Sequence, residues 1–477
     1  MVGAFRPGTP GTRMTLSLDF TNCLSEAIGA THGLTKSEVE TLVAKFPKHH
    51  ESIEEMRSNG ESGFFELPYQ DQAELKTALK KHSGKWSDLV VVAMGGSALA
   101  ARTLLGALGH AAHNLVEPKA RKNAPRIHIL DNADPVLAGQ MLEALDLKKT
   151  LFQIVSRGGL TAETDALLMW IIEQLRKKVG KAAPTAQIVI VTDREKGPLA
   201  EIAKLEKIDV LHNPANLSGR YAILGSAGLF AAGLAGLDID GLLAGAGEMD
   251  KRCRHGDPYK NPAYMHSLVH YLLTRKRRKT MHVMFSFSNR LHAVGLWYNH
   301  LCSVSLGKML NRKGKAVHVG PSPVAGLGSF DLHGQQQLFA EGPFDKVVTF
   351  VVAKDQGAKA VAPQLYPKLE ALAWLKDAEF SGLLDKAYIG CEQHLTAAGR
   401  PNMTITLDAI DAAHVGGLIY LLELSTAMSA ELYGIDPFDQ PGVEQGKQAI
   451  FAQCGRPGFE DLAKRIKDHR AKPRRTC

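Results

Sequence analysis

Polar side chains and two adjacent glycines follow a short apolar run in the stretch "LFQIVSRGGLTAETDALL", residues 151–168. A segment with helical spacing begins directly after them. Backbone N–H groups of a glycine-rich turn and the N-terminus of a helix both attract anions. The stretch therefore predicts a phosphate-binding loop, whose candidate ligands are Ser156, Arg157, Gly158, Gly159 and Thr161.

Glu163 lies just inside the helix that this loop would open. It is a second candidate for the site. An alternative is that its carboxylate simply interacts with the positive end of the helix dipole.

A second turn, "AMGGSALAART", places Gly95, Gly96 and Ser97 between a predicted strand and a predicted helix. Its N–H groups would also face an anion at a helix N-terminus. The alternative is a tight turn that needs glycine only for its backbone conformation. A dinucleotide site is not predicted, because the GxGxxG pattern is absent.

Three further residues could act as acid, base or fixed cation: Arg220 in "NLSGRYAIL", His333 in "FDLHGQQQ" and Lys447 in "PGVEQGKQAIF". Taken singly, each has an ordinary structural interpretation. Arg220 would be a surface or ion-paired residue, His333 a packed ring and Lys447 an exposed helix residue.

The elements that must position these residues follow a repeated unit of a β-branched run, a turn and a longer amphipathic segment. Such buried runs predict parallel sheets covered by helices on both faces, hence a doubly wound α/β fold. The first series is Leu89–Gly96, Arg126–Asn132, Thr150–Ser156, Ala186–Asp193 and Lys207–Pro214. The second series is Met281–Phe287, Lys315–Gly320, Lys346–Ala353 and Asn402–Asp408.

We expect four parts in the chain: an N-terminal helical segment (1–56), two α/β domains (57–245 and 246–435) and a C-terminal arm (436–477). The boundary between the two α/β domains is expected near residues 240–260. Because ligands of open α/β sheets bind outside the carboxyl ends of the strands, the predicted turns lie where a site would form.

The amino-acid composition and net charge limit the classes of binding partner. Lys plus Arg exceed Asp plus Glu by 57 to 49, which gives a net charge of +8 and a pI near 9.0. Two basic runs, residues 274–279 and 470–477, lack interleaved aromatic residues, so we interpret them as solvated surface and expect no nucleic-acid partner. Six scattered cysteines predict neither a disulfide framework nor a metal site. No secretory signal and no membrane span is expected, which predicts a cytoplasmic protein.

Six segments, taken together and in order, resemble the phosphoglucose isomerase family in its shorter bacterial form. They are "GGSALAARTL", "VSRGGLTAETDAL", "PANLSGRYAILGSAGLF", "LWYNHLCSVSLGK", "GPSPVAGLGSFDLHGQQQLFAEGPFDK" and "YGIDPFDQPGVEQGKQAIFAQCGRPGFE". The resemblance covers almost the whole chain. It implies two sugar-isomerase (SIS) domains of flavodoxin-like topology and a homodimer with active sites at the subunit interface. It also implies interconversion of glucose 6-phosphate and fructose 6-phosphate, a step of glycolysis and gluconeogenesis, without a metal or an organic cofactor.

The resemblance also implies roles for the candidate residues. Gly96, Ser97 and the loop Ser156–Thr161 would hold the phosphate. Arg220 would stabilise the enediolate, and His333 and Lys447 would open the sugar ring. A carboxylate must then carry the proton between the two adjacent carbons.

Several positions depart from the family's usual residues. The phosphate loop usually reads S-K-S-G-x-T, with a small or hydroxyl residue at x, whereas this chain has Arg157, Gly158 and Leu160. "LSGR" stands for GGR and "DLHG" for DQHS. Val304 occupies the position before "SLGK" where the short form has a glutamate, which we interpret as the proton-carrying carboxylate. Glu163 and Glu341 are the candidates to replace it.

Three hypotheses follow from these departures. The first is an active glucose 6-phosphate isomerase with an altered site. The second is a catalytically impaired relative that binds sugar phosphates or serves as a dimerisation partner of a true isomerase. The third is an isomerase for another sugar phosphate, with the loop reshaped by Leu160.

Overall fold

The computed structural model describes residues 14–192 and 197–476. From residue 14 onward, the N-terminal part contains one strand and four α-helices: β1 (Leu16–Asp19), α1 (Ser25–Ile28), α2 (Lys36–Val43), α3 (Phe46–Ser58) and α4 (Ala73–His82). Helix α2 begins where it does because Thr35 and Glu38 form a capping box, in which each side chain accepts from the other residue's backbone N–H.

The first sheet domain alternates strands and helices. Its elements are β2 (Asp88–Ala93), α5 (Gly96–Leu108), β3 (Arg126–Leu130), α6 (Pro135–Ala144), β4 (Thr150–Val155), α7 (Ala162–Lys178), α8 (Ala183–Gln187), β5 (Ile188–Thr192), α9 (Pro198–Glu206) and β6 (Asp209–His212). The strand order is β3-β2-β4-β5-β6, and all pairs are parallel. This is the flavodoxin-like order, and every residue of β2, β4 and β5 is buried, as the continuous apolar runs predicted.

Three helices connect the two sheets: α10 (Ser226–Leu234), α11 (Ile239–Cys253) and α12 (Pro262–Arg277). The second domain then contains β7 (Met281–Ser286), α13 (Asn289–Leu306), β8 (Lys308–Leu310), β9 (Ala316–Val319), β10 (Ser322–Leu327), α14 (Gln336–Glu341), β11 (Lys346–Asp355), α15 (Glu370–Ala373), α16 (Phe380–Ala397), β12 (Asn402–Ala409) and α17 (Ala412–Tyr433). Two helices end the chain, α18 (Pro441–Gln453) and α19 (Glu460–Arg470).

The second sheet has the order β1-β12-β11-β7-β10. Its four strands from the second domain are parallel, and β1 from the N-terminal part pairs antiparallel with β12. The prediction of two parallel α/β sheets is therefore confirmed. The domain boundaries proposed from the sequence stay a prediction.

One predicted strand of the second sheet was wrong. The run Lys315–Gly320 forms β9, which pairs antiparallel with β8 in a separate two-stranded ribbon. The neighbour of β7 in the parallel sheet is β10, whose sequence "SPVAGL" includes a proline and a glycine. The physical reason is position: β10 is an edge strand, where a missing N–H donor is tolerated.

Helix α17 is the central helix of the core. It is the one described helix long and apolar enough to span a membrane, contrary to our expectation that no such run exists, but 89% of its apolar window is buried inside the protein. It packs against α11, α12 and α13. The basic run at residues 274–279 is also not wholly solvated: Arg277 pairs with Glu38 at 2.6 Å, and Lys279 is buried with its ammonium on the Phe344 carbonyl at 2.6 Å.

Candidate active site

The loop after β4 has the form that the sequence predicted. The hydroxyls of Ser156 and Thr161 lie 3.2 Å apart across it, and the Thr192 hydroxyl donates to the Arg157 carbonyl at 2.9 Å. Thr161 precedes α7, so the helix N-terminus opens into the loop. The loop thus combines hydroxyls, backbone N–H groups and a helix dipole, which suits a phosphate group.

The two glycines of this loop differ in what they tolerate. Gly159 has φ +57° and packs so closely that an added Cβ would lie 2.8 Å from the backbone nitrogen of Leu199. Gly158 has open space around it. Glycine is therefore required at position 159 by the fold, whereas at position 158 a larger side chain would fit.

The turn after β2 lies beside the phosphate loop, because β2 and β4 are neighbours in the sheet and the strand order reverses between them. Gly95 has φ +55°, and α5 begins at Gly96. An added Cβ on Gly96 would lie 2.7 Å from the Arg220 backbone nitrogen, and one on Gly219 would lie 3.0 Å from the Ser97 hydroxyl. Glycine at these two positions lets the turn contact the segment that carries Arg220.

Arg220 is buried, with 2% of its surface exposed. Its guanidinium donates to acceptors from two distant parts of the chain: the Ser305 hydroxyl at 2.9 Å, the Gln440 side-chain oxygen at 3.1 Å, and the carbonyls of Pro437 at 2.6 Å and Asp439 at 3.0 Å. Burial lowers the pKa of Arg220, but a guanidinium stays protonated in proteins. The result is a fixed positive charge beside the Gly96 turn.

Lys447 and Glu444 lie on α18, one turn apart. The Lys447 ammonium is 2.8 Å from Glu444 Oε1, which also accepts from the Gln440 amide at 2.7 Å. Partial burial acts to raise the pKa of Glu444, but the hydrogen bonds from Lys447 and Gln440 outweigh it and lower that pKa. Because Gln440 also accepts from Arg220, one chain of hydrogen bonds joins Arg220 to Lys447.

Helix α18 also lies near the phosphate loop. It packs against α7, and the positive charge of Arg157 contributes to the lowered pKa of Glu444. The structure thus brings Arg157, Arg220 and Lys447 to one region, although they are far apart in the sequence.

Val304 is half-buried in the last turn of α13. The Lys308 ammonium donates to the Val304 carbonyl at 3.0 Å and pairs with the Asp439 carboxylate at 2.6 Å. Burial lowers the pKa of Lys308, and Asp439 opposes that shift. Position 304 therefore adjoins the segment that supplies Arg220 with its carbonyl acceptors.

The two glutamates considered as replacements for a carboxylate at position 304 lie in different places. Glu163 is in the first turn of α7, where burial and the charge of Glu163 together raise the pKa of Asp165 to about 6. Glu341 is exposed at the end of α14 and accepts from Gln337 at 2.8 Å. Glu163 is thus at the phosphate loop, whereas Glu341 is bound to its own helix.

His333 is exposed at the end of a 3₁₀ turn, Phe330–His333, that follows the edge strand β10. This turn packs on β10 and α14. Across residues 14–192 and 197–476, no hydrogen bond joins its imidazole to Arg220, Lys447 or the phosphate loop. A single chain therefore assembles the other predicted residues and leaves His333 on its surface.

Sequence reasoning missed several residues around Arg220. Ser305, Gln440 and Asp439 hold its guanidinium, and Lys308 ties Asp439 to α13. Their signal was available, because each lies in a segment quoted for the family resemblance. His300 was also missed: an added Cβ on Gly95 would lie 3.4 Å from its Cε1 atom.

Comparison with known proteins agrees with this geometry. A family model described as phosphoglucose isomerase matches residues 74–469. A glucose-6-phosphate isomerase from Carboxydothermus hydrogenoformans is 35% identical over 464 residues, which is 97% of this chain and 99% of the relative. One from Rubrobacter xylanophilus is 35% identical over 400 residues, 83% of this chain and 90% of the relative.

Among solved structures, a hypothetical protein from Thermus thermophilus superposes with a TM-score of 0.81 at 28% identity, covering 92% of this chain and 100% of that one. A glucose-6-phosphate isomerase from Chlamydia trachomatis has the same fold, with a TM-score of 0.75 at 18% identity, covering 95% of this chain and 91% of that one. Because the family model matches most of the chain and these relatives are 35% identical over 83–97% of it, this chain belongs to the phosphoglucose isomerase family.

Proposed function

We infer that this protein is an aldose–ketose isomerase that interconverts glucose 6-phosphate and fructose 6-phosphate through an enediolate. The observation that carries the inference is the position of Arg220. Its buried guanidinium is tied to the C-terminal segment that carries Lys447 and contacts the Gly96 turn. Family membership and relatives named glucose-6-phosphate isomerase support the choice of substrates.

The phosphate would bind where the helix N-termini of α5 and α7 meet. Ser97, Ser156 and Thr161 offer hydroxyl donors there, and the backbone of residues 156–161 offers N–H donors. Arg157 is exposed at the same loop and supplies a positive charge. An arginine can contact two phosphate oxygens at once, which offsets part of the loss of a hydroxyl at Gly158.

Lys447 would act in ring opening, for which a proton must reach the ring oxygen and another must leave the anomeric hydroxyl. Its pairing with Glu444 holds the ammonium in place at the end of the hydrogen-bond chain from Arg220. The exposed His333 fits the second half of this step if it reaches the site of another copy of the chain. We therefore propose a homodimer in which each subunit lends its His333 to the other.

Arg220 would stabilise the negative charge that develops on the enediolate oxygens. A fixed donor in a buried site needs no reorganisation during the reaction, and such donors typically contribute about 3–4 kcal/mol to transition-state stabilisation. Its four acceptors hold the guanidinium in one orientation before substrate arrives.

A coupled assay of the purified protein tests the activity. Fructose 6-phosphate is the substrate, and formation of glucose 6-phosphate is followed through a dehydrogenase that reduces NADP. We expect turnover well above that of a Lys447→Ala variant. Equal rates for the two proteins would contradict the proposal and favour the catalytically impaired sugar-phosphate binder, for which the apolar Val304 is the supporting observation.

The dimer has its own test, since light scattering gives the mass in solution directly. A mass near twice 51.7 kDa is expected. Mixing His333→Ala with Lys447→Ala subunits should then restore part of the activity, because one site in the mixed dimer has both groups. A monomeric mass, or no recovery on mixing, would contradict the shared site. A cytoplasmic location stays a prediction.

A further inference from the structure

The isomerisation requires a group that takes a proton from one carbon and returns it to the next. Val304 has a hydrocarbon side chain and cannot do this. One turn earlier on the same helix lies His300, in the i, i+4 relation to Val304. Residues four apart lie on the same helix face, so His300 presents an imidazole on the face where position 304 lies.

His300 lies beside residues of the candidate active site. Its ring packs against Gly95, where an added Cβ would lie 3.4 Å from Cε1 and 3.7 Å from Nε2. The charge of Arg220 acts on the ring. Within the described ranges neither ring nitrogen makes a hydrogen bond, so both are available to a substrate.

We propose that His300 is the general base that transfers the proton between C1 and C2 of the open-chain sugar phosphate. This inference rests on the proposed isomerase function. The neutral imidazole takes the proton from C2 of the aldose, and the C–H electron pair becomes the C1–C2 double bond of the enediolate. The imidazolium then returns the proton to C1, and the hydroxyl proton of O2 moves to O1 as the C2 carbonyl forms. C1 is reduced and C2 is oxidised within one molecule, so no other reactant is needed.

The electrostatics of the ring fit this role. Burial lowers the pKa of His300, and the positive charge of Arg220 lowers it further. The ring is therefore neutral at neutral pH and able to accept a proton. Arg220 is the one charged group that acts on it in the part of the chain that the structure describes. Arg220 also opposes the imidazolium once it forms, so return of the proton to the substrate is favoured.

Two carboxylates near Arg220 are already engaged. Asp439 is paired with the buried Lys308 at 2.6 Å. Glu444 accepts from both Lys447 and Gln440 through the same oxygen. Removing either carboxylate from its partners would leave a buried or half-buried cation uncompensated, which is costly. The ring nitrogens of His300 have no hydrogen-bond or ion-pair partner within the described ranges.

Three variants test the proposal: His300→Gln, His292→Gln as a matched control, and His300→Gln combined with Val304→Glu. His292 lies on the same helix and contacts the Gly326 carbonyl at 3.3 Å, outside the site. The readouts are kcat, KM for fructose 6-phosphate, the pH profile, and exchange of the substrate's C1 hydrogen with deuterated water. Loss of a positioned base typically lowers the rate by about 10²–10⁴-fold.

We expect His300→Gln to lose that much in kcat and in hydrogen exchange, with KM unchanged, and His292→Gln to match the wild type. Adding Val304→Glu should restore turnover and move the acid limb of the pH profile toward the carboxylate range near pH ~4. Wild-type rates in His300→Gln would overturn the inference and leave the proposed function standing. If adding Val304→Glu does not restore the kcat lost in His300→Gln, His300 is a structural residue. The same conclusion follows if His300→Gln also lowers the melting temperature. An inactive wild type would overturn the proposed function itself.

Discussion

The Nε of Arg220 donates to the hydroxyl of Ser305 at 2.9 Å, which joins a turn after the first sheet to helix α13 of the second domain. Ser305 is fully buried. Ser305→Ala should therefore destabilise the protein by about 1–3 kcal/mol and lower kcat, because a buried charged donor loses its partner.

Urea unfolding and the coupled assay measure these two effects of Ser305→Ala. Ser303→Ala is the matched control, since Ser303 is exposed on the same helix. Equal stability of the Ser305 and Ser303 variants would contradict the importance of this contact.

Gly96 is predicted to be irreplaceable, because an added Cβ would lie 2.7 Å from the Arg220 backbone nitrogen. Gly96→Ala should displace the Arg220 turn and lower kcat/KM at least tenfold, which corresponds to about 1.4 kcal/mol in the barrier. In contrast, Gly139→Ala should stabilise α6 by about 0.5–1 kcal/mol, since no atom lies within 4 Å of its Cβ position. A Gly96→Ala protein with normal kinetics would contradict the close packing of the two turns.

Gly158→Ser should strengthen substrate binding, because open space surrounds that position and the substitution adds a hydroxyl donor to the predicted phosphate loop. A hydrogen bond to a charged group contributes about 1.5–3 kcal/mol. We expect KM for fructose 6-phosphate to fall about tenfold or more, as that energy implies. Gly158→Ala fits the same space without a hydroxyl and is the control. An equal fall in KM for both variants would show that backbone rigidity, and not a phosphate contact, is responsible.

Three buried histidines predict acid sensitivity. The rings of His266, His270 and His282 pack in a row in tilted orientations, with neighbouring ring centroids 4.4 and 4.2 Å apart. Burial lowers the pKa of His266 to about 4 and that of His282 to about 3, and burial together with the other two rings lowers that of His270. The unfolded chain binds protons on these rings below pH ~6.5, whereas the folded protein does not until the pH nears the lowered values.

Stability should consequently fall as the pH drops from ~6.5 to ~4, by up to about 1.4 kcal/mol per pH unit for each ring. Urea midpoints at pH 7, 6 and 5 measure the slope. His282→Gln removes one titrating group and should flatten it. A stability that does not change across this range would contradict the prediction.

The fold was largely predictable because the buried strands are continuous apolar runs. In β2, β4 and β5 every residue is buried, so the pattern carries an unambiguous signal. The signal failed for β10, since an edge strand tolerates proline and glycine, and the more regular run Lys315–Gly320 looked more like a strand. Spacing alone cannot separate a ribbon from a sheet strand of the same composition.

Arg220 and the loop after β4 were singled out from motifs. The acceptors of Arg220 lie in segments that carry the family resemblance, but their contacts with its guanidinium could not be predicted from those segments. Two of its four acceptors are backbone carbonyls, at Pro437 and Asp439, and any residue type can supply a carbonyl. His300 could not be predicted for a different reason. The contact of its ring with Gly95 depends on how α13 packs against α5, which no local sequence pattern encodes.

The acceptors at Pro437, Asp439 and Gln440 come late in the chain, more than 200 residues after Arg220. During synthesis on the ribosome, Arg220 and the phosphate loop emerge well before the segment that orients the guanidinium. A nascent chain can therefore fold its first sheet while the guanidinium of Arg220 is still unanchored. Turnover would begin only after residues 437–447 have left the exit tunnel, so activity itself would report that this segment has been synthesised and has docked.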